Sequence, residues 1–124
     1  MSKKIIVVDD SRVVHAQMNK MLKNTDFEIV ECCQDGESAI KAYETHKPDL
    51  VTMDIIMPGM DGLKTAKTML ERWPDARIIM VSSLAYDDTI EEAEKIGTKG
   101  FIFKPFEREA MVKALIKALQ HEDE

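Results

Sequence analysis

Long apolar runs are missing from this chain. No hydrophobic stretch approaches the roughly 18 residues that a membrane-spanning helix needs. Met1-Ser2-Lys3-Lys4 leads into a short apolar run over residues 5–8, too brief for the core of a secretory signal. Cysteine is scarce: Cys32 and Cys33 are the only two, and they are adjacent. Such a pair cannot build a disulfide framework, and it lacks the partners of a zinc site. The two read as buried or half-buried thiols on a strand. A surplus of basic residues is also absent. Seventeen Lys and Arg against 23 Asp and Glu give a net charge of −6, contrary to the positive footprint that nucleic-acid binding requires. There are no internal repeats, low-complexity tracts or Pro/Ser-rich linkers. What remains is a cytoplasmic protein, with no membrane or direct nucleic-acid partner, suited to meeting other proteins or cations.

The 124 residues suit one domain spanning 1–124 with a core of its own, and the 44% apolar content is that of a globular chain. Short apolar runs alternate with amphipathic segments. Strands are expected at 5–8, 27–33, 50–53, 78–81 and 101–103. Between them, Val14, Met18, Met21 and Leu22 recur at helical spacing, as do Ala39, Ile40 and Tyr43, and then Leu63, Ala66 and Leu70. A third helix must end before Pro74, and a fourth over 87–96 is closed by Gly97. The last, over 107–120, carries Val112, Leu115, Ile116 and Leu119 on one face. Five strands alternating with five helices imply an α/β fold: a parallel sheet with helices on both faces. The near-continuous apolar strands support that burial.

Ligands of such sheets bind beyond the carboxyl ends of the strands. The first strand ends at Asp9-Asp10, the third at Asp54, the fourth at Ser82-Ser83 and the fifth at Lys104-Pro105. Three carboxylates, hydroxyls and one ammonium group thus share an edge. Clustered carboxylates need a proton or a cation between them. Oxygen-only donors with room for water favour Mg²⁺. A divalent ion beside a lysine and a hydroxyl suits phosphoryl chemistry, with a carboxylate as nucleophile. The central strand should carry that nucleophile, which singles out Asp54. His15, His46 and His121 are expected at the surface, away from the strand ends. Met57 and Met60 lie near the site and offer material for a partner surface.

In order, the motifs are Val7-Val8-Asp9-Asp10-Ser11, then Asp54-Ile55-Ile56-Met57-Pro58-Gly59-Met60-Asp61-Gly62, then Val81-Ser82, then Lys104-Pro105-Phe106. In that combination the chain resembles the response-regulator receiver domains of two-component signalling, in particular the stand-alone chemotaxis regulators of the CheY type. The resemblance implies a flavodoxin-like fold with the strand order 2-1-3-4-5. It also implies that Asp54 accepts a phosphoryl group from a histidine kinase, and that Asp10, Asp54 and the Ile56 backbone carbonyl ligate Mg²⁺ (Mn²⁺ substituting). Asp9 would assist through water, and Lys104, preceding a cis bond to Pro105, would pair with the phosphoryl group. Ser82 and Phe101 would move together as the switch. Such a protein is not an enzyme beyond its own phosphorylation and dephosphorylation. Its partners would be the kinase and a downstream target or phosphatase, and the chain itself a monomer.

Two tuning positions, Ile56 and Leu84, are apolar here, so neither can position an attacking water, and a long-lived aspartyl phosphate is expected. Phe101 lacks the hydroxyl of the tyrosine that many members carry. A phosphorelay intermediate, or a receiver cut from a longer transcriptional regulator, would use the same pocket. An aspartate-nucleophile hydrolase needs a second acid soon after Asp54, where Ile55 and Ile56 stand instead. A flavin binder needs a Gly-rich loop after the first strand, where Asp9 and Asp10 stand.

Overall fold

A computed structural model describes residues 2–83 and 87–120. Five strands, β1 (Lys3–Val8), β2 (Phe27–Cys33), β3 (Leu50–Asp54), β4 (Ile78–Ser82) and β5 (Gly100–Phe103), form one parallel sheet in the order β2-β1-β3-β4-β5. The connecting helices are α1 (Arg12–Met21), α2 (Gly36–His46), α3 (Gly62–Arg72), α4 (Asp87–Ile96) and α5 (Arg108–Gln120).

Alternation along the strands splits the core into two layers. Ile6, Val8, Val51, Met53, Ile78 and Met80 face Ala39, Ala42 and Tyr43 of α2, Ala66 and Met69 of α3, and Ala93 of α4. Ile5, Val7, Leu50, Ile79 and Val81 face Met18 of α1 and Met111, Leu115 and Ala118 of α5. Covered on both sides, β3 and β4 are buried along their full lengths.

Side-chain caps set the helix starts on the edge where the strands end. Ser11 accepts from the Val14 amide at 3.4 Å, Asp35 from Ser38 at 2.8 Å and Asp61 from Lys64 at 2.8 Å. Helix α4 stops at Gly97, whose φ of 110° turns the chain while its amide donates to the Ala93 and Glu94 carbonyls. The face expected for α5 is right for Leu115 and for the partly buried Val112 and Leu119, and needs correction at Ile116. Ile116 is 43% exposed, and the buried stripe is Met111, Leu115 and Ala118. These sit at i, i+4 and i+7, and Ile116 lies about 100° round the helix from Leu115. The small Ala118 and the flexible Met111 allow close approach to the sheet. Neither stands out in a search for large aliphatics.

Candidate functional site

Strand register brings the acidic residues together. Val8 pairs with Met53 across β1 and β3, so Asp9 and Asp10 emerge beside Asp54. One oxygen from each of the three carboxylates lies within 4.8 Å of the others. Asp9 and Asp54 are buried, whereas Asp10 is exposed. Lys104, at the end of β5, reaches across the edge. Its Nζ lies 2.8 Å from Asp9 Oδ2 and 3.5 Å from Asp54 Oδ2. The Lys104–Pro105 peptide is cis, and the Lys104 amide donates to the Ser82 carbonyl at 2.8 Å.

The hydrogen bonding is uneven. Asp9 Oδ1 accepts from the Ser11 amide at 2.9 Å and Oδ2 from Lys104, so both its oxygens are engaged. Among the described residues, Asp54 has only the longer contact to Lys104. Burial, followed by the Asp9 charge, pushes the Asp54 carboxyl above the ordinary aspartate value, against the pull of Lys104. For Lys104, burial works against the charged form, but its bond to Asp9 and the Asp54 charge outweigh that and raise its pKa. One ammonium among three carboxylates leaves a deficit of positive charge. An all-oxygen donor set, with one member facing solvent, fits a hard divalent cation that keeps part of its water.

Ser82 is buried at the end of β4, where Asp54 pairs with its neighbour Val81. Phe101 is half-buried on β5 against the layer under α2, α3 and α4, with its ring centroid 5.3 Å from that of the exposed Phe103. Ile56 is 57% exposed beside the site, and Leu84 lies outside the described residues. Met57 is buried and is not available to a partner. Met60 instead lines an open groove of about 560 Å³ with Asp10, Asp35 and Glu37.

Two residues that shape the site were given no part in it by the sequence. Gly62 opens α3 directly behind Asp54, and its amide donates to the Ile55 carbonyl at 2.7 Å. A Cβ there would come within 1.9 Å of the Asp54 carbonyl oxygen, so only glycine fits. The Asp61-Gly62 pair reads as a turn, and the close approach across the loop is invisible without coordinates. The second is His15, expected away from the strand ends. It sits at the mouth of β1 and β2, with Nε2 2.7 Å from the Asp9 carbonyl oxygen and 3.2 Å from that of Cys33. Its spacing of six from Asp9, one turn into α1, is the signal that would have placed it there. His46 does lie at the surface, 2.8 Å from Glu31, and His121 falls outside the described residues.

Comparison with known proteins agrees with this geometry. The family described as the response regulator receiver domain matches residues 5–116. The chemotaxis protein CheY of Listeria monocytogenes is 38% identical over 115 residues, covering 93% of this chain and 97% of that protein. The CheY of Bacillus subtilis is 37% identical over 119 residues, covering 96% and 99%. Among solved structures, the CheX–CheY–BeF3–Mg²⁺ complex from Borrelia burgdorferi matches with a TM-score of 0.91 and 30% identity, over 97% of this chain and 90% of that one. The likeness runs along nearly the whole length of these proteins, and the chain belongs to the response-regulator receiver domain family.

Proposed function

We propose that Asp54 is the phosphoacceptor of a signalling switch, charged by the phosphohistidine of a histidine kinase in a reaction that requires a divalent ion. The observation that carries this is the buried Asp54 carboxylate, short of hydrogen bonds and facing a lysine. An Asp54 Oδ attacks phosphorus. The new P–O bond forms as the P–N bond breaks, and the electron pair returns to the imidazole, which takes up a proton. Asp10, Asp54 and the Ile56 carbonyl would hold Mg²⁺ or Mn²⁺, with Asp9 contributing through water. When bound, the ion supplies positive charge that offsets the crowded phosphoryl oxygens. Lys104 neutralises a further oxygen.

The acyl phosphate carries roughly −1.5 to −2 charges and strong acceptors, giving Lys104 and the Ser82 hydroxyl a partner that exists in only one state. Ser82 and Phe101 then move together and alter the surface around α4 and β5. The relatives named as chemotaxis proteins, covered over 97% and 99% of their length, support a chemotaxis regulator, which we read as stand-alone, monomeric and cytoplasmic with a single domain over 1–124. Its partners are the kinase and a target or phosphatase. A phosphorelay intermediate would use the same acceptor, and a transcriptional regulator would carry this domain beside another.

Radiolabelled acetyl phosphate tests the acceptor. Label should enter the parent only with Mg²⁺ or Mn²⁺ and should be absent from Asp54→Asn. Labelling in EDTA, or at another residue, refutes the reading. The side chains of the exposed Ile56 and of Leu84 carry no polar group to orient water, so replacing both by polar residues should shorten the lifetime of the label.

A further inference from the structure

We infer that His15 is a positioning residue for the acidic site, setting where Asp9 and Asp10 stand relative to Asp54; the inference rests on the cation-binding reading above. The argument begins with the end of β1. The strand finishes at Val8, so the Asp9 peptide lies past the ladder that would supply its carbonyl with a donor. Nε2 of His15 takes that place, 2.7 Å from the Asp9 carbonyl oxygen and 3.2 Å from the Cys33 carbonyl oxygen. The Cys33 oxygen also accepts from the Asp9 amide at 2.9 Å. A ring nitrogen facing two carbonyl oxygens must carry the hydrogen, so Nε2 is the protonated nitrogen.

This bond closes a loop between α1, the end of β1 and the end of β2. The carbonyl it holds belongs to the peptide joining Asp9 to Asp10, so the imidazole orients the plane from which both carboxylates project. The side chain of Asp9 is held separately, by the Ser11 amide and Lys104. Without the Nε2 donor, that peptide is free to rotate toward water and the three oxygens spread. Groups that orient ligands in this way typically change metal affinity by 10–100-fold when removed.

The test compares the parent with His15→Leu, which keeps bulk and loses the donor, and with His15→Gln, which returns an N–H at similar reach. Mn²⁺ affinity is read by electron paramagnetic resonance. Nitrogen-15 spectra of the parent ring, recorded where it is neutral, report the tautomer. The expected result is hydrogen on Nε2, Mn²⁺ affinity about tenfold weaker in His15→Leu, and His15→Gln within about threefold of the parent. A purely structural role would lower both variants alike. Hydrogen on Nδ1, parent-like affinity in His15→Leu, or an equal loss in His15→Gln overturns the inference. If His15→Leu fails to fold, the affinity of His15→Gln and the ring spectrum decide alone. A parent that binds no Mn²⁺ sinks the cation-site reading itself, whereas a parent that binds beside an unaffected His15→Leu sinks only the role of His15.

Discussion

Asp54→Asn should stabilise this protein when no divalent cation is present, although it removes one partner of an ion pair. The Asp9 and Asp54 oxygens lie within 4.8 Å, which at an effective dielectric constant of about 20 corresponds to roughly 3.5 kcal/mol of repulsion. Attraction to Lys104 at 3.5 Å is about 4.7 kcal/mol on the same scale. Lys104 keeps its shorter contact to Asp9 in either protein. The remaining charge, Asp10, adds a repulsion screened by solvent. These charge terms nearly offset, and the cost of burying an ionised group in a site only 6% exposed decides the sign. The Asp54 carboxyl accordingly sits above its ordinary value of 3.8. A raised carboxyl contributes stability that is fully present below 3.8 and lost as pH rises through the folded-state value, so at neutral pH the ionised group is a liability. In EDTA near pH 7 the asparagine variant should be more stable by on the order of 1–2 kcal/mol, about 5 °C in Tm. Urea unfolding followed by the fluorescence of the single tryptophan, Trp73, measures this. The advantage should shrink as pH falls toward 3.8. Mg²⁺ at a hundredfold over its Kd should add about 2.7 kcal/mol to the parent and less to the variant, inverting the order. An asparagine variant less stable than the parent in EDTA at pH 7 would refute the reasoning.

Gly62→Ala should cost about 2–3 kcal/mol, roughly 10 °C in Tm by calorimetry, because its Cβ would meet the Asp54 carbonyl oxygen at 1.9 Å. Gly59→Ala is the control: φ is 76° and nothing lies within 4 Å, so only about 1 kcal/mol of backbone strain should appear. Equal losses at the two glycines would contradict the steric account. Cys33, 3% exposed with its thiol pushed up to about 12 by burial and by the Glu31 charge, should resist iodoacetamide at pH 8 in the native state. Half-exposed Cys32 should label first, and mass spectrometry that finds both labelled at one rate would refute this.

Much of the fold was legible because its signals are local and repeated. Strands such as Ile78–Ser82 are continuous apolar runs, and alternation with amphipathic helices leaves few topologies open. The acidic edge was legible for a related reason: Asp9, Asp10, Asp54 and Lys104 each follow an apolar run, so knowing the sheet is parallel places them together. The misses share a cause. The face of α5 turns on Ala118 and Met111, which pack well through small size and flexibility rather than strong hydrophobicity. His15 and Gly62 act through backbone atoms, His15 on the Asp9 carbonyl and Gly62 against the Asp54 carbonyl. Side-chain chemistry is written in the sequence, whereas the position of a carbonyl past the end of a strand is not.

The same distinction bears on which of three like carboxylates would serve as the proposed nucleophile. Residue type cannot separate them, since each is an aspartate at a strand end. Hydrogen bonding and exposure can. Asp9 has both oxygens engaged, one by the Ser11 amide and one by Lys104, so neither oxygen is bare. Asp10 is exposed, and water solvates its charge and blunts its attack. Among the described residues, Asp54 alone of the three combines burial with a single long contact, which leaves one of its oxygens open to form a bond. The Gly62 amide donates to the Ile55 carbonyl at 2.7 Å, which ties the backbone that carries Asp54 to the start of α3. A nucleophile needs both properties, because loose positioning forfeits the entropic advantage of a prepared attack and full hydrogen bonding forfeits reactivity. The feature that makes Asp54 costly to the resting fold is therefore the one that equips it to be modified.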